Sequence, residues 1–188
     1  MTIYIIEHLE QRMWKWCVIE YKHISKIVGK ENLWITNVRK GSTVLEKCGK
    51  VIKQSVAELA LKKCCVLDPE AAQTLVPEEI GNFDYFIFGG ILGDYPPKKR
   101  TKKELTTRIK NAEARNIGKA QMSTDNAVTV VKEIADGKSL EELRFKDKLE
   151  IPLGKNESTI LPYRYLLVNG KPLMSNELVT YLKRKRGF

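Results

Sequence analysis

A glycine-rich stretch at residues 88–94, Phe-Gly-Gly-Ile-Leu-Gly-Asp, is the part of the sequence best suited to holding a ligand. Its three glycines permit positive φ angles and a close approach of the backbone to a bound molecule. Asp94 adds a hydrogen-bond acceptor, and Pro96 and Pro97 stiffen the chain that follows. The stretch lacks the GxGxxG pattern of dinucleotide-binding loops and the Gly-Lys-Ser/Thr ending of P-loops. Composition alone leaves a purely structural turn as the alternative.

Two further segments have the composition of ligand-binding loops. At residues 117–127, a turn around Gly118 leads to Ser123, a good N-cap for a helix. The free N–H groups and partial positive charge of a helix N-terminus suit a polar ligand group, although every capped helix has them. Residues 161–165, Leu-Pro-Tyr-Arg-Tyr, interleave aromatic side chains with one arginine, a pattern that an edge strand also shows.

Around these segments the sequence predicts alternating strands and helices. Short apolar runs indicate buried strands, and apolar residues at three- and four-residue spacing indicate amphipathic helices. The pattern predicts an α/β fold with a mostly parallel sheet flanked by helices, in a single domain whose residues from about 139 onward form a C-terminal extension packing on it. The predicted strands are residues 2–6, 33–36, 64–67 and 83–88, and two helices are predicted at 14–28 and 51–60. A further helix passes through Val128, Val131 and Ile134, with an N-cap at residues 123–125 and its end at residues 136–137. A short helix starts at Pro77, Asn169-Gly170 forms a hairpin turn, and a last helix follows Ser175.

Three segments fit the ligand-binding edge of such a sheet, because ligands bind in the loops at the carboxyl ends of parallel strands. Residues 89–97 follow the strongest predicted strand directly, residues 7–8 follow the first strand, and residues 67–69 follow the third. These segments are therefore the candidates for a binding site.

Positive charge is concentrated in two segments of the chain. Of a formal net charge of +10, residues 98–119 carry nine basic and two acidic side chains, and residues 183–186 add four basic ones. Concentrated positive charge attracts polyanions, so contact with RNA or a ribosomal particle is predicted. A solvated loop and a frayed basic end are the alternative.

Composition also excludes several classes of protein and site. No apolar run approaches the roughly 18–20 residues that a membrane-spanning helix needs, and the first residues do not resemble a signal peptide. Four cysteines and two histidines show no metal-ligand spacing, which predicts no metal site and small apolar cysteines in a reducing compartment. The sequence predicts a cytoplasmic protein with no membrane contact.

Taken together, three segments resemble one enzyme family. Phe-Gly-Gly-Ile-Leu-Gly-Asp-x-Pro-Pro, Gly-x-x-Gln-Met-x-Thr-Asp-x-Ala and Leu-Pro-x-Arg-Tyr are similar to the SPOUT, or α/β-knot, methyltransferases. Within that superfamily they resemble the branch that contains a fungal SPOUT-type protein arginine methyltransferase acting on a ribosomal protein. The resemblance covers essentially the whole chain and includes residues 5–8, 67–69 and 83–86.

The resemblance implies a C-terminal trefoil knot, with S-adenosylmethionine bound in a bent form between the knot loops. It also implies a monomer rather than a homodimer. The cofactor-binding residues that it implies are Leu67, Phe88, Gly89, Gly90, Ile91, Leu92, Gly93, Gly118, Gln121, Met122, Thr124, Pro162 and Arg164. A valine at Gly90 is expected to abolish cofactor binding with little effect on folding.

Methyl transfer to an arginine needs in-line positioning, carboxylates that hold the guanidinium group, and a proton acceptor. The carboxylates nearest the implied loops are Glu7, Asp94 and Asp125, which are the candidate catalytic residues. Asp68 is a weaker candidate, because an aspartate before a proline is also a good turn former.

Three functions remain open from the sequence. The resemblance favours a protein arginine methyltransferase acting on a ribosomal or translation protein. The basic segments at 98–119 and 183–186 favour an RNA methyltransferase of the same fold. A non-catalytic RNA- or ribosome-binding module is the third reading.

Overall fold

The main sheet of the molecule consists of six parallel strands. The computed structural model describes residues 2–39, 42–155 and 157–185. The strands of this sheet are β1 (Ile3–His8), β2 (Leu33–Thr36), β3 (Lys50–Val51), β4 (Cys64–Leu67), β5 (Tyr85–Gly90) and β6 (Ala112–Arg115). Their order is β3-β2-β1-β5-β4-β6, and every pair is parallel. The prediction of a mostly parallel sheet is confirmed.

Helices cover the sheet, and their apolar stripes explain where they pack. They are α1 (Lys15–Val28), α2 (Ser42–Leu45), α3 (Arg100–Glu104), α4 (Thr124–Ala135) and α5 (Asn176–Lys185). Alternate side chains of the central strands face opposite sides. Ile6 and Phe86 therefore belong to the core under α1 and α4, whereas Ile5 and Ile87 belong to the core on the other face.

A second, antiparallel sheet follows the main one in the chain. Its strands are β7 (Phe145–Pro152), β8 (Ser158–Val168) and β9 (Lys171–Pro172). Asn169 and Gly170 form the tight turn between β8 and β9 with positive φ angles of 52° and 75°, which confirms the predicted hairpin. This sheet and α5 share a small core with Ile19 of α1. The second sheet is thereby anchored to the first helix of the chain.

Local structure departs from the sequence prediction in several places. The predicted helix at 51–60 is wrong: Val51 ends β3, and only Val56–Glu58 forms a single 3-10 turn. Ile52 instead donates its backbone N–H to Ile35, so this apolar stretch follows the sheet edge. The strands β6 and β7 were not predicted, because their sequences AEAR and FKDKLEIP are rich in charge.

No helix among the described residues is long and apolar enough to cross a membrane. All four cysteines are free and buried. The trefoil knot and the division into a domain with a C-terminal extension stay predictions.

Candidate active site

A cavity of about 600 Å³ opens at the carboxyl ends of β4 and β5. Its walls come from the segment that begins at Leu67, from the glycine-rich loop after β5, and from the loop before α4. Residues 97–101 form part of its rim. Cavities of about 300–1,000 Å³ are typical of sites for cofactors and small ligands.

The glycine-rich loop at residues 88–94 is held by contacts with β1 and with Glu10. Gly89 pairs with Glu7 where β5 runs beside β1. The backbone N–H of Leu92 donates to Glu10 Oε1 at 3.0 Å, and Arg100 Nη1 donates to the same oxygen at 2.9 Å. The loop therefore has a fixed backbone path along the cavity.

Gly90 packs against α1 rather than against the cavity. A Cβ atom there would lie 2.3 Å from the hydroxyl oxygen of Tyr21 and 3.1 Å from the carbonyl oxygen of Glu7. Tyr21 is fully buried and hydrogen-bonded to His8 Nδ1 at 2.9 Å, so it cannot move aside cheaply. The expectation that Gly90→Val spares folding is therefore wrong, and that variant is a poor probe of ligand binding.

The loop before α4 presents an unused donor to the cavity. Gly118 has a φ angle of 94°, and its backbone N–H donates to Asn116 Oδ1 at 3.0 Å. The carbonyl oxygen of Gln121 accepts a hydrogen bond from the backbone N–H of Arg164 at 2.9 Å. Within the described part of the chain, Gln121 Nε2 is buried and has no hydrogen-bond partner. A bound ligand with an acceptor atom would satisfy it.

Most of the residues implied as cofactor contacts border this cavity. Gly90 does not line it, and neither do Pro162 and Arg164. Instead, the Arg164 guanidinium forms a fork with the Asp147 carboxylate at 2.7 and 3.1 Å. The implied cofactor contacts that do line the cavity are Leu67, Phe88, Gly89, Ile91, Leu92, Gly93, Gly118, Gln121, Met122 and Thr124.

The candidate carboxylates Glu7 and Asp94 lie in different surroundings. Asp94 lines the cavity near its rim and pairs with Lys98 Nζ at 2.8 Å. Glu7 is buried outside the cavity, where Ser55 Oγ donates to it at 2.6 Å, the backbone N–H of Val56 at 2.9 Å, and Thr36 Oγ1 as a third donor. Through these hydrogen bonds, Glu7 connects β1 to the segment after β3.

Two other aspartates have defined partners. Asp125 is buried at the start of α4 and does not line the cavity. Its carboxylate accepts from Ser123 Oγ at 2.6 Å and lies 2.7 Å from His23 Nδ1. Asp68 does line it, but its oxygens accept from the backbone N–H of Glu70 at 2.9 Å and from Thr106 Oγ1 at 2.6 Å. Asp68 therefore is the turn former that the sequence indicated.

A second cavity of about 170 Å³ lies directly beside the first. Its acidic lining residue is Glu20 of α1, which is 5% exposed and accepts a hydrogen bond from Trp16 Nε1 at 2.9 Å. Burial, followed by the nearby charge of Asp125, raises the pKa of the Glu20 carboxyl group to about 8. The walls of this cavity are Trp14, Trp16, Glu20, Ile91, Leu92, Gly93, Met122, Ser123, Tyr163, Tyr181 and Lys185.

Sequence reasoning missed Glu20 and the aromatic residues around it. The spacing of Trp14, Tyr21 and Ile24 indicated only a core-facing helix. The signal available was Glu20 four residues after Trp16, which places both on one helix face. That spacing is too common to identify a site without the fold.

Much of the basic segment at 98–119 is already neutralised. Lys98, Lys99, Arg100 and Arg115 form ion pairs with acidic side chains. The remaining cations of the segment are exposed, and no ion pair with them occurs in the described ranges. They are Lys102, Lys103, Arg108, Lys110 and Lys119. Of the basic residues at 183–186, Arg186 lies outside the described residues.

Comparison with known proteins identifies the family. A family model described as SFM1-like protein arginine N-methyltransferase matches residues 3–187. The chain belongs to this family. It is 38% identical over 200 residues to protein arginine N-methyltransferase SFM1 of Saccharomyces cerevisiae, covering 96% of this chain and 94% of the relative.

Solved structures extend this comparison. The yeast arginine methyltransferase SFM1 complexed with SAM matches with a TM-score of 0.88 and 35% identity, over 98% of this chain and 91% of that one. The dual specific Trm10 of Thermococcus kodakaraensis matches with a TM-score of 0.59 at 19% identity, over 76% of this chain and 96% of that one, and shares the fold alone. The resemblance to the SPOUT methyltransferases is confirmed.

Proposed function

We propose that this protein is an S-adenosylmethionine-dependent methyltransferase that modifies arginine side chains of a protein substrate. The observation that carries the proposal is the family match over residues 3–187. The yeast arginine methyltransferase SFM1, 35% identical to this chain in both comparisons, was solved with SAM and with SAH. We assign this ligand to the cavity of about 600 Å³ at the ends of β4 and β5.

The lining of the cavity supports this assignment. The apolar side chains of Leu67, Ile91, Leu92 and Met122 offer a wall for an adenine ring. Gln121 Nε2, which lacks a partner in the described ranges, offers a donor to a polar atom of the ligand. A mostly apolar cavity with a few convergent polar groups is what small-molecule sites require.

When bound, S-adenosylmethionine supplies a methyl group that is activated by a positively charged sulfur atom. The protein must hold the acceptor nitrogen in line with that group, exclude water and provide a route for one proton. The bonds from Leu92 to Glu10 and from Tyr163 to Gly93 hold the glycine-rich loop at the wall of the cavity. A loop held in this way positions a ligand without covalent participation.

We further propose that the substrate is a ribosomal or translation protein, met in the cytoplasm by a monomer. The exposed cations Lys102, Lys103, Arg108 and Lys110 follow the rim of the cavity in sequence, and such a surface attracts RNA. An arginine-rich protein segment would be repelled by these cations unless it were embedded in RNA. Four reduced, buried cysteines suit the cytoplasm.

Transfer of a labelled methyl group tests this function. The protein is incubated with ribosomal particles and methyl-labelled S-adenosylmethionine, and the products are divided into ribonuclease-resistant and RNA fractions. The proposal predicts label in the protein fraction, on arginine. Label in RNA alone would identify an RNA methyltransferase instead, the reading that the basic surface favours. A chain that does not bind S-adenosylhomocysteine would be a non-catalytic module.

A further inference from the structure

The second cavity adjoins the proposed cofactor cavity, and the two share part of their lining. Ile91, Leu92, Gly93 and Met122 line both spaces. A group bound in the second cavity therefore lies next to whatever fills the first. The methyl-accepting side chain of a substrate has to bind in a space that adjoins the cofactor in this way.

Glu20 places a buried carboxyl group in the lining of the second cavity. It is 5% exposed, and no ion pair with a lysine or arginine occurs for it within residues 2–39, 42–155 and 157–185. The nearby Asp125 adds a second negative charge and is itself paired with His23. A buried carboxyl group that lacks a cation favours its neutral form, and a cation that binds from outside stabilises the ionised carboxylate.

The aromatic walls are of the kind that accept cations, and two cations of the chain itself already lie on them. The Arg12 guanidinium carbon lies 3.4 Å from the centroid of the Trp14 ring. Lys185 Nζ lies 5.4 Å from the centroid of the Tyr181 ring. Aromatic faces attract such groups through the ring quadrupole, and guanidinium groups also stack on them.

We propose that the second cavity receives the guanidinium group of the substrate arginine, with the Glu20 carboxylate as its hydrogen-bonding partner and Trp14, Trp16 and Tyr181 as its walls. This inference rests on the proposed methyl-transfer function and assigns the acceptor side of it. Lys185, at the rim, is exposed and is displaced when the arginine enters. Lysine has no planar fork to match the carboxylate, so the site prefers arginine.

The assignment also gives the reaction a proton acceptor. The guanidinium nitrogen forms a bond to the methyl carbon while the sulfur–carbon bond of the sulfonium donor breaks, and that bond's electron pair stays on sulfur. The same nitrogen releases one proton, which the ionised Glu20 carboxylate takes. The methylated guanidinium keeps its single positive charge, so atoms and charges balance. Glu20 is then the residue that both binds the substrate and removes its proton.

Binding of a small arginine probe tests the inference without requiring turnover. The probe is Nα-acetyl-arginine amide, and Nα-acetyl-citrulline amide is its neutral control of the same shape. Both are titrated into the full chain saturated with S-adenosylhomocysteine, and tryptophan fluorescence is followed because Trp14 and Trp16 line the cavity. We expect the arginine probe to bind at least tenfold more tightly than the citrulline probe.

Two variants locate the binding. Glu20→Gln should weaken the arginine probe at least tenfold while the affinity for S-adenosylhomocysteine changes less than twofold. Trp14→Ala, at a position that is 38% exposed and therefore safe for folding, should weaken the probe several-fold. Glu177→Gln on the exposed face of α5 is the matched control and should change neither affinity.

The outcomes separate this inference from the proposed function. Equal binding of the two probes, or an unchanged arginine affinity in both Glu20→Gln and Trp14→Ala, overturns the pocket assignment even when the wild type methylates arginine. Failure of the wild type to bind S-adenosylhomocysteine instead overturns the proposed function. Tighter binding of a lysine amide than of the arginine probe would also contradict the guanidinium assignment.

Discussion

The hydroxyl group of Tyr163 donates a hydrogen bond to the carbonyl oxygen of Gly93, with 2.9 Å between the two oxygen atoms. This bond joins β8 of the second sheet to the glycine-rich loop after β5. Gly93 lines both cavities, and Tyr163 lines the second. The C-terminal part of the chain thus helps to shape the lining that the two proposed binding spaces share.

Removing the hydrogen bond from Tyr163 to Gly93 should make the glycine-rich loop less well fixed. For Tyr163→Phe we expect a loss of about 1 kcal/mol in the free energy of unfolding, and a several-fold weaker affinity for S-adenosylhomocysteine, measured by calorimetry. Tyr95→Phe is the control, since Tyr95 is 71% exposed and should tolerate the change. An unaltered affinity in Tyr163→Phe would show that the loop holds its shape without β8.

The unpartnered amide of Gln121 should matter for binding and not for folding. Gln121→Met removes a buried donor that has no partner in the described ranges. Because no hydrogen bond is lost in the ligand-free protein, its thermal stability should stay equal or rise. Affinity for S-adenosylhomocysteine should fall about tenfold, equivalent to about 1.4 kcal/mol.

Gln73→Met on the exposed surface serves as the control for that substitution. A destabilised Gln121→Met protein with normal ligand affinity would assign Gln121 to packing rather than to the ligand.

Glu7 should behave as a structural residue. Its carboxylate accepts hydrogen bonds from Thr36, Ser55 and the backbone of Val56, away from the cavity. Glu7→Gln replaces an acceptor by a donor at this cluster and should lower the free energy of unfolding by about 1–3 kcal/mol in urea titrations. The folded variant should retain its turnover, whereas the exposed control Glu58→Gln should change neither quantity. Loss of turnover with unchanged stability would restore Glu7 as a catalytic candidate.

Glu20 should make stability depend on pH. Burial raises its pKa to about 8, whereas a glutamate in an unfolded chain titrates near about 4.3. Between these values the folded state binds the extra proton, so stability falls as pH rises, by at most about 1.4 kcal/mol per pH unit for this group. The titratable groups near Glu20 are Asp125 of α4, Cys17 and Tyr21 of α1, Tyr163 and Tyr165 of β8, and Lys185 of α5.

The measurement for this prediction is urea unfolding of the wild type and of Glu20→Gln at a series of pH values. The variant lacks the titrating group, so its stability relative to the wild type should increase from pH 5 to about pH 8 and then level off. A constant difference across that range would mean that Glu20 titrates normally in the folded protein.

The exposed cations beside the cavity should contribute salt-dependent RNA binding. Alanine at Lys102, Lys103 and Lys110 should weaken binding of a labelled RNA oligonucleotide. It should also make the slope of log affinity against log salt shallower by about 0.7–0.9 for each phosphate that the protein no longer neutralises. Alanine at the exposed Lys26, Lys53 and Lys62 is the matched control. RNA affinity that does not depend on salt, or that falls equally in both variants, would argue against this surface.

The sequence predicted the part of the fold that apolar patterning dictates. The short apolar runs at residues 64–67 and 83–88 are typical of buried parallel strands, which places the glycine-rich loop at the carboxyl end of the second run. The strand β6 escaped prediction because AEAR is held at a sheet edge by backbone pairing with β4 rather than by its own apolar side chains.

The candidate site was predictable only where it is built from contiguous loops. The glycine stretch and the segment from Gly118 to Thr124 are visible as patterns in the chain. The second cavity combines Trp14 and Glu20 with Tyr163 and Tyr181, which are more than 140 residues apart in sequence. Their proximity depends on how α5 and β8 pack on α1 through Ile19 and Leu182, and no local pattern encodes that.

Arginine methylation is tested by mass spectrometry after incubation of the protein with ribosomal particles and S-adenosylmethionine carrying a deuterated methyl group. We expect a deuterated methyl group on the side-chain nitrogen of an arginine in a ribosomal or translation protein, and its loss in Gln121→Met at limiting S-adenosylmethionine. Deuterated methyl groups found only in RNA, or on no macromolecule although S-adenosylmethionine binds, would contradict this expectation.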